Sequence, residues 1–159
     1  MEEALHRIEP GQGIGNVKFG DSTEQVQKYL GSPDVTDNLD QSTTLWNYRS
    51  LRLEIAFQSA DWPSAAMNKY VVQFMTRHPA TMLWGKQIIG RHENEVLDIF
   101  RENGCRSFAV SDEVVGPFNY RTFRLEQLHV VLDFRDGLLR GVLWGESESR
   151  WAESHTRQT

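Results

Sequence analysis

Two stretches of the chain alternate apolar and polar residues with a period of two. Residues 51–58 read LRLEIAFQ and residues 128–135 read LHVVLDFR, so every other side chain in each stretch is apolar. This alternation predicts β-strands with one face packed and the other turned toward water. The dipeptide Asp136-Gly137 predicts a tight hairpin into a last strand over residues 139–144, and residues 70–75 form the matching strand in the first half.

Two short helices are predicted by a different spacing of apolar residues. The residues that recur at helical spacing are Val26, Tyr29 and Leu30 in the first half, and Val96, Ile99 and Phe100 in the second. Ser22 is placed to cap the first helix, and Gln25 completes a capping box. We expect Gly31 to end the first helix and Gly104 to end the second.

Two pairs of similar segments occur in the same order along the chain. Residues 46–54, WNYRSLRLE, match residues 118–126, FNYRTFRLE, at six of nine positions. Residues 19–26 match residues 89–96 more loosely, with a spacing of 70 residues against 72 for the first pair. Similar segments at a nearly constant spacing predict a duplicated unit.

The predicted fold is therefore α+β, with two tandem helix-plus-antiparallel-sheet repeats forming one molecule. Residues 1–80 are the first repeat, residues 81–145 are the second, and residues 146–159 are a polar C-terminal tail. In each repeat we expect the helix to cover one sheet face and to leave the other face open.

Composition and charge narrow the classes of function. The chain has 17 basic and 22 acidic residues, a net charge of −5, which does not fit a nucleic-acid-binding protein. Its first thirteen residues lack the basic and apolar regions of a signal peptide. No apolar run approaches the ~20 residues that span a membrane. We expect a cytoplasmic protein that binds neither nucleic acid nor membrane.

Candidate catalytic and metal-binding residues are few. The five histidines are scattered, and the single cysteine, Cys105, rules out an internal disulfide. His129 and Asp133 fall on one face of a predicted strand and are the nearest approach to a catalytic pair, although a solvated sheet face carries such residues routinely. The glycines of residues 11–15 lack the Lys-Ser/Thr of a phosphate-binding loop. We therefore predict no enzymatic activity, no cofactor and no metal.

Aromatic residues are abundant for a chain with 39% hydrophobic residues. The aromatics predicted to lie in the core are Tyr29, Phe57, Phe74, Phe100 and Phe134. The residues predicted to contact a partner protein are Trp46, Tyr48, Asp61, Trp62, Phe118, Tyr120 and Asp136. Each repeated Asn-Tyr-Arg strand places two aromatics on one face, which either is the open face or packs under the helices. Trp62 stands in a long loop, residues 59–68, and either reaches a partner or folds back on the loop.

The repeated segments resemble the β-lactamase-inhibitor-protein-like superfamily. The resemblance rests on GIGNVKFGDSTEQVQKYLGSPD with LWNYRSLRLEIAF, and on GKQIIGRHENEVLDIF with FNYRTFRLEQLHVVLDF. It implies tandem units whose sheets form a concave face, which in the secreted inhibitors clamps an enzyme. This chain lacks their paired cysteines and export signal, so the resemblance favours intracellular proteins similar to bacterial immunity proteins.

These observations lead to one main functional hypothesis and one alternative. The main hypothesis is a non-catalytic inhibitor, of the immunity-protein type, that neutralises a toxin or enzyme by steric occlusion. The alternative is a structural or assembly scaffold without inhibitory activity. A hydrolase or transferase that uses His129 and Asp133 is a third, weaker hypothesis.

Overall fold

A computed structural model describes residues 5–59, 68–125 and 128–145. These residues form two helices, α1 (Thr23–Leu30) and α2 (Glu93–Glu102). The strands that they form are β1 (Arg7–Glu9), β2 (Gly13–Ile14), β3 (Val17–Lys18), β4 (Val35–Asn38), β5 (Thr43–Tyr48), β6 (Leu53–Ser59), β7 (Lys69–Thr76), β8 (Met82–Leu83), β9 (Lys86–Gln87), β10 (Ala109–Val115), β11 (Phe118–Leu125), β12 (Val130–Arg135) and β13 (Leu138–Gly145).

One antiparallel sheet of eight strands dominates the structure. Its order is β10-β11-β12-β13-β7-β6-β5-β4. Strands β4 to β7 form one meander and β10 to β13 form another, and the two are joined where β13 pairs with β7 through Val142 and Thr76. Since the last strands of the two meanders pair with each other, β4 and β10 are left as the two edges of the sheet.

A smaller sheet of five short strands, in the order β3-β2-β1-β8-β9, brings together residues 7–18 from the start of the chain and residues 82–87 from its middle. Its strands are antiparallel except for β1 and β8, which pair in parallel through Ile8 and Leu83. Both of these side chains are buried, so the smaller sheet contributes to the core.

The hydrophobic core lies on one face of the eight-stranded sheet. Ile55, Phe74 and Trp144 from the sheet form a single buried cluster with Val26 of α1 and Phe100 of α2. The helices and the smaller sheet therefore cover this face. We call the opposite face of the eight-stranded sheet the open face.

Each helix is attached at its start to the last strand of the meander that follows it. The N–H of Gly20 donates to Val71 O at 2.8 Å, and the N–H of Gly90 donates to Leu139 O at 2.8 Å. Both glycines have positive φ, 92° and 89°, a conformation that side chains with a Cβ seldom adopt. The helix starts are thus held in the same way in both halves.

The predicted fold class is wrong. The described residues contain far more strand than helix, and the helices have only 8 and 10 residues. Instead of two helix-plus-sheet units, the chain forms one continuous sheet to which both halves contribute. The β13–β7 pairing produces this difference, because hydrogen bonds between edge strands satisfy backbone groups that two separate sheets would leave exposed.

The WNYR and FNYR segments differ in their structural setting. In the first half, Trp46 and Tyr48 end β5 and residues 49–52 turn into β6. In the second half, Phe118 begins β11, and the strand runs without a turn to Leu125. The sequence match therefore aligns the end of one strand with the beginning of another.

Candidate protein-binding surface

Trp46 and Tyr48 face the core. They pair across β5 and β6 with Ile55 and Leu53, which are both buried. The Trp46 ring lies 4.7 Å from that of Phe57, and Tyr48 is 4% exposed. In the first half, Trp46 and Tyr48 therefore pack on the core side of the sheet, which was one of the two alternatives expected from the sequence.

Phe118 and Tyr120 lie on the other side of the sheet. They alternate along β11 with side chains that point to the core side, and they share the open face with Thr122, which is opposite Asp133. Their ring centroids are 6.3 Å apart in an edge-to-face arrangement. In the second half, the aromatic pair therefore belongs to the open face.

The hairpin formed by β10 and β11, hereafter the β10–β11 hairpin, exposes further apolar side chains. Every residue of β10 is exposed, and Val114 reaches 71%. Four of the seven large hydrophobic residues exposed in the described part of the chain lie on this hairpin: Val110, Val114, Val115 and Phe118. Val115 is opposite Phe118 on the open face, whereas Val110 and Val114 lie on the other face of the hairpin, on the side of Arg121. Exposed large apolar side chains of this kind are typical of interaction sites.

Ion pairs brace this hairpin against the start of α2. Arg121 Nε donates to Asp112 Oδ1 at 2.6 Å across the hairpin, and Arg121 Nη1 donates to Glu93 Oε1 at 3.0 Å. The hydrogen bond to Asp112, followed by that to Glu93, raises the pKa of Arg121 above its usual value. Both strands of the hairpin are thereby tied to a helix that belongs to the core.

Asp136 occupies the turn between β12 and β13, next to the start of β11. Its φ of 51° and the φ of 82° at Gly137 fit the tight Asp-Gly hairpin predicted from sequence. Its Oδ1 accepts a hydrogen bond from the Asn119 N–H at 3.0 Å, which links the turn to β11.

The predicted contact residues Asp61 and Trp62 lie outside the described residues, as does the tail over residues 146–159.

The predicted His129–Asp133 pair does not share a strand face. Strand β12 begins at Val130, and His129 stands before it with a φ of 54°.

Cys105 is half-buried behind α2, and burial raises the pKa of its thiol, which opposes a role as nucleophile. Among the described residues, no three His, Cys, Asp or Glu side chains are grouped to hold a metal ion.

Sequence reasoning missed the valines of β10. Residues 109–115 read AVSDEVV, and a strand exposed on both faces has no apolar–polar period that would reveal it. Within the described ranges, neither helix has the length and apolar character needed to cross a membrane.

Comparison with known proteins gives little further information. No protein-family model matches the chain, and no curated protein matches it. One similar solved structure is that of an extracellular protein containing a SCP domain from Bacillus anthracis str. Ames, with 15% identity and a TM-score of 0.49. The match covers 88% of this chain and 46% of that protein, so the chain spans less than half of its length.

Proposed function

We propose that the chain is a non-catalytic inhibitor of the immunity-protein type, which binds a partner protein through the β10–β11 hairpin and the adjoining open face. The observation that carries this proposal is the exposure of apolar side chains on both faces of the hairpin: Val115 is 50% and Phe118 is 37% exposed on the open face, and Val114 is 71% exposed on the other. Removing apolar surface of this kind from water is the main driving force of protein association.

The edge position of β10 also favours a binding site on this hairpin. Strand β10 pairs only with β11, so one side of its backbone is free among the described residues. Long exposed edge strands are usually avoided, because they invite pairing with another chain. A partner strand added to this edge would gain backbone hydrogen bonds as well as contacts with the valines.

The bracing of the hairpin also favours binding. A loose hairpin would lose conformational entropy when a partner fixed it, whereas the Arg121 contacts to Asp112 and Glu93 hold both strands beforehand. We assign no catalytic residue, cofactor or metal to the chain, and we expect it to act in the cytoplasm.

The first experiment identifies the partner through this surface. A photo-crosslinking amino acid is placed at Val114 in the full chain in its native host, and a control chain carries it at Lys28, an exposed residue of α1. We expect one protein to be captured from position 114 and not from position 28. Equal capture from both positions would remove the hairpin from the proposal.

The second experiment measures affinity and inhibition with the purified partner. Val114→Asp should weaken binding by at least about tenfold, because it places a charge in an apolar contact. Val35→Asp makes the same change on β4, the opposite edge of the sheet, and should change affinity by less than about twofold. Equal losses in the two variants would refute the assigned surface. Tight binding that leaves the partner fully active would favour the scaffold hypothesis over the inhibitor.

A further inference from the structure

Four arginines converge on a cavity of about 480 Å³ at one end of the eight-stranded sheet. The residues that line it include Arg52, Arg77, Arg135, Arg140, Tyr120 and Asp133. They come from four strands or strand ends and from the turn before β6, so the cavity depends on the assembled sheet. We call it the arginine cavity.

The backbone holds Arg52 and Arg77 side by side. Arg52 lies in the turn between β5 and β6 with a φ of 47°, an uncommon conformation for a residue other than glycine. Its carbonyl accepts a hydrogen bond from the Arg77 N–H at 3.0 Å. This contact fixes the turn against the end of β7, so the two side chains leave the backbone close together.

A β-bulge and a glycine place the next arginine. Asp133 pairs with Gly141 and Phe134 with Leu139, so Arg140 is the extra residue of a bulge in β13. Bulges bend a strand and change the direction of a side chain. A Cβ on Gly141 would lie 3.3 Å from Arg77 Cγ, so the absence of a side chain at position 141 leaves room for the Arg77 stem.

Arg135 is held by an aromatic ring. Its guanidinium carbon lies 4.7 Å from the centroid of the Phe118 ring, a cation–π contact. Its Nε is buried and has no hydrogen-bond partner among the described residues. A buried donor without a partner is unfavourable. Arg135 also lines the cavity, and its guanidinium carries further N–H donors that suit an anion there.

The charges of the cavity are not balanced by the described part of the chain. None of the four arginines forms an ion pair there, although Arg91, Arg101 and Arg121 all do. Among the described residues, Asp133 is the only carboxylate lining the cavity, which leaves an excess of three positive charges there in a protein of net charge −5. Arginine forks match the oxygens of phosphates and carboxylates, and they hold them with charge-assisted hydrogen bonds.

We propose that the arginine cavity binds a small, multiply charged oxyanion, either a phosphate compound or a polycarboxylate. The volume is within the range of small-molecule sites and exceeds the size of a single phosphate. The site goes beyond the proposed function and does not depend on it, since it rests on the arginines and not on the exposed valines.

Isothermal titration calorimetry of the full chain with pyrophosphate and with citrate, at matched ionic strength, tests this site. We expect a dissociation constant below about 1 mM for at least one of the two anions. Binding of pyrophosphate alone supports a phosphate ligand, and binding of citrate alone supports a polycarboxylate. The same titration with Arg77→Gln and with Arg140→Gln should show affinity reduced by at least about tenfold.

Arg106→Gln is the matched control, since Arg106 is exposed and lies outside the cavity. It removes the same charge from the protein and should change affinity by less than about twofold. Circular dichroism of each variant checks that the fold is retained. The proposal is overturned if neither anion binds, or if Arg106→Gln weakens binding as much as the two cavity variants do. Val114→Asp leaves the arginines in place and should not alter anion binding, so this proposal and the proposed function are tested separately.

Discussion

Replacing Tyr48 with phenylalanine tests how the first half of the sheet is attached to α1. The Tyr48 hydroxyl donates to the Gly31 carbonyl at 2.8 Å and so ties β5 to the residue that ends the helix. Such a hydrogen bond contributes about 0.5–1.5 kcal/mol to the free energy of unfolding. Because Gly31 is exposed and water can replace the hydroxyl, we expect Tyr48→Phe to lower this free energy by about 0.5–1 kcal/mol near pH 8.

The Tyr48 phenol should also make the free energy of unfolding depend on pH in alkaline solution. Burial, followed by the negative charge of Asp34, raises the pKa of Tyr48 to about 12. The phenol of an unfolded chain has a pKa of about 10. Between these values the folded chain keeps a proton that the unfolded chain has lost. Tyr48 therefore stabilises the fold fully below about pH 10, and this contribution is lost as the pH rises through about 12.

The size of this loss of stability follows from the difference between the folded and unfolded pKa values of Tyr48. Two pH units correspond to about 2.7 kcal/mol at most. We expect a loss of about 1–2 kcal/mol, because the hydroxyl lies near the exposed end of α1 and solvent reduces the effect. Urea unfolding followed by circular dichroism between pH 8 and 11.5 measures it. The wild type should be more stable than Tyr48→Phe at pH 8 and less stable at the upper limit.

Tyr29→Phe is the control, because Tyr29 is 44% exposed and belongs to α1. It removes a phenol hydroxyl elsewhere in the chain. Its unfolding curves therefore show how much of the alkaline loss of stability comes from groups other than Tyr48. A difference between wild type and Tyr48→Phe that stays constant from pH 8 to 11.5 would refute the linkage between Tyr48 burial and alkaline stability.

Two further substitutions test backbone features of the fold. Gly13→Ala should destabilise the fold by more than about 3 kcal/mol or prevent folding, because a Cβ there would lie 2.0 Å from the Val17 carbonyl oxygen. Gly11→Ala, with open space around the added methyl, should cost only about 1–2 kcal/mol in the same urea titration. His92→Ser should raise the thermal midpoint and add about 0.5–1 kcal/mol, because the N-cap of α2 lacks the side-chain hydrogen bond that Ser22 makes in α1. An unchanged midpoint in His92→Ser would show that α2 does not need a side-chain cap.

Local features of the fold were predictable because they depend on neighbouring residues. The capping box of Ser22 and Gln25 is present, and Gly31 ends α1 as the sequence indicates. The Asp136-Gly137 turn also forms, and it leads into β13. The predicted core positions Phe57, Phe74, Phe100 and Phe134 are buried. In each case a few consecutive residues determine the conformation.

Tyr29 shows where a local pattern misleads. Its helical spacing from Val26 placed it in the predicted core, yet it is 44% exposed. In α1, Val26 is the one fully buried residue, since the helix has only eight residues and rests on the sheet with a narrow stripe. Spacing identifies the apolar side of a helix, but the neighbouring elements decide how much of that side is covered.

The features missed by the sequence prediction depend on contacts between distant segments. The β13–β7 pairing joins residues about 70 positions apart, such as Trp144 and Phe74, and no local pattern encodes it. The arginine cavity is missed for the same reason, since Arg52 and Arg140 come together only after the two meanders pair. Non-local strand pairings of this kind contribute most of the topology and little of the sequence periodicity.

The two edges of the eight-stranded sheet differ in length and in the apolar surface that they expose. Strand β4 has only four residues, VTDN, with an acidic and an amide side chain, and short polar edges of this type prevent pairing between molecules. Strand β10 has seven residues and exposes three valines, but its hairpin is tied to α2 through Arg121. Contacts that order a hairpin in advance lower the entropy lost on association, so these ion pairs would favour the binding that we propose at this edge.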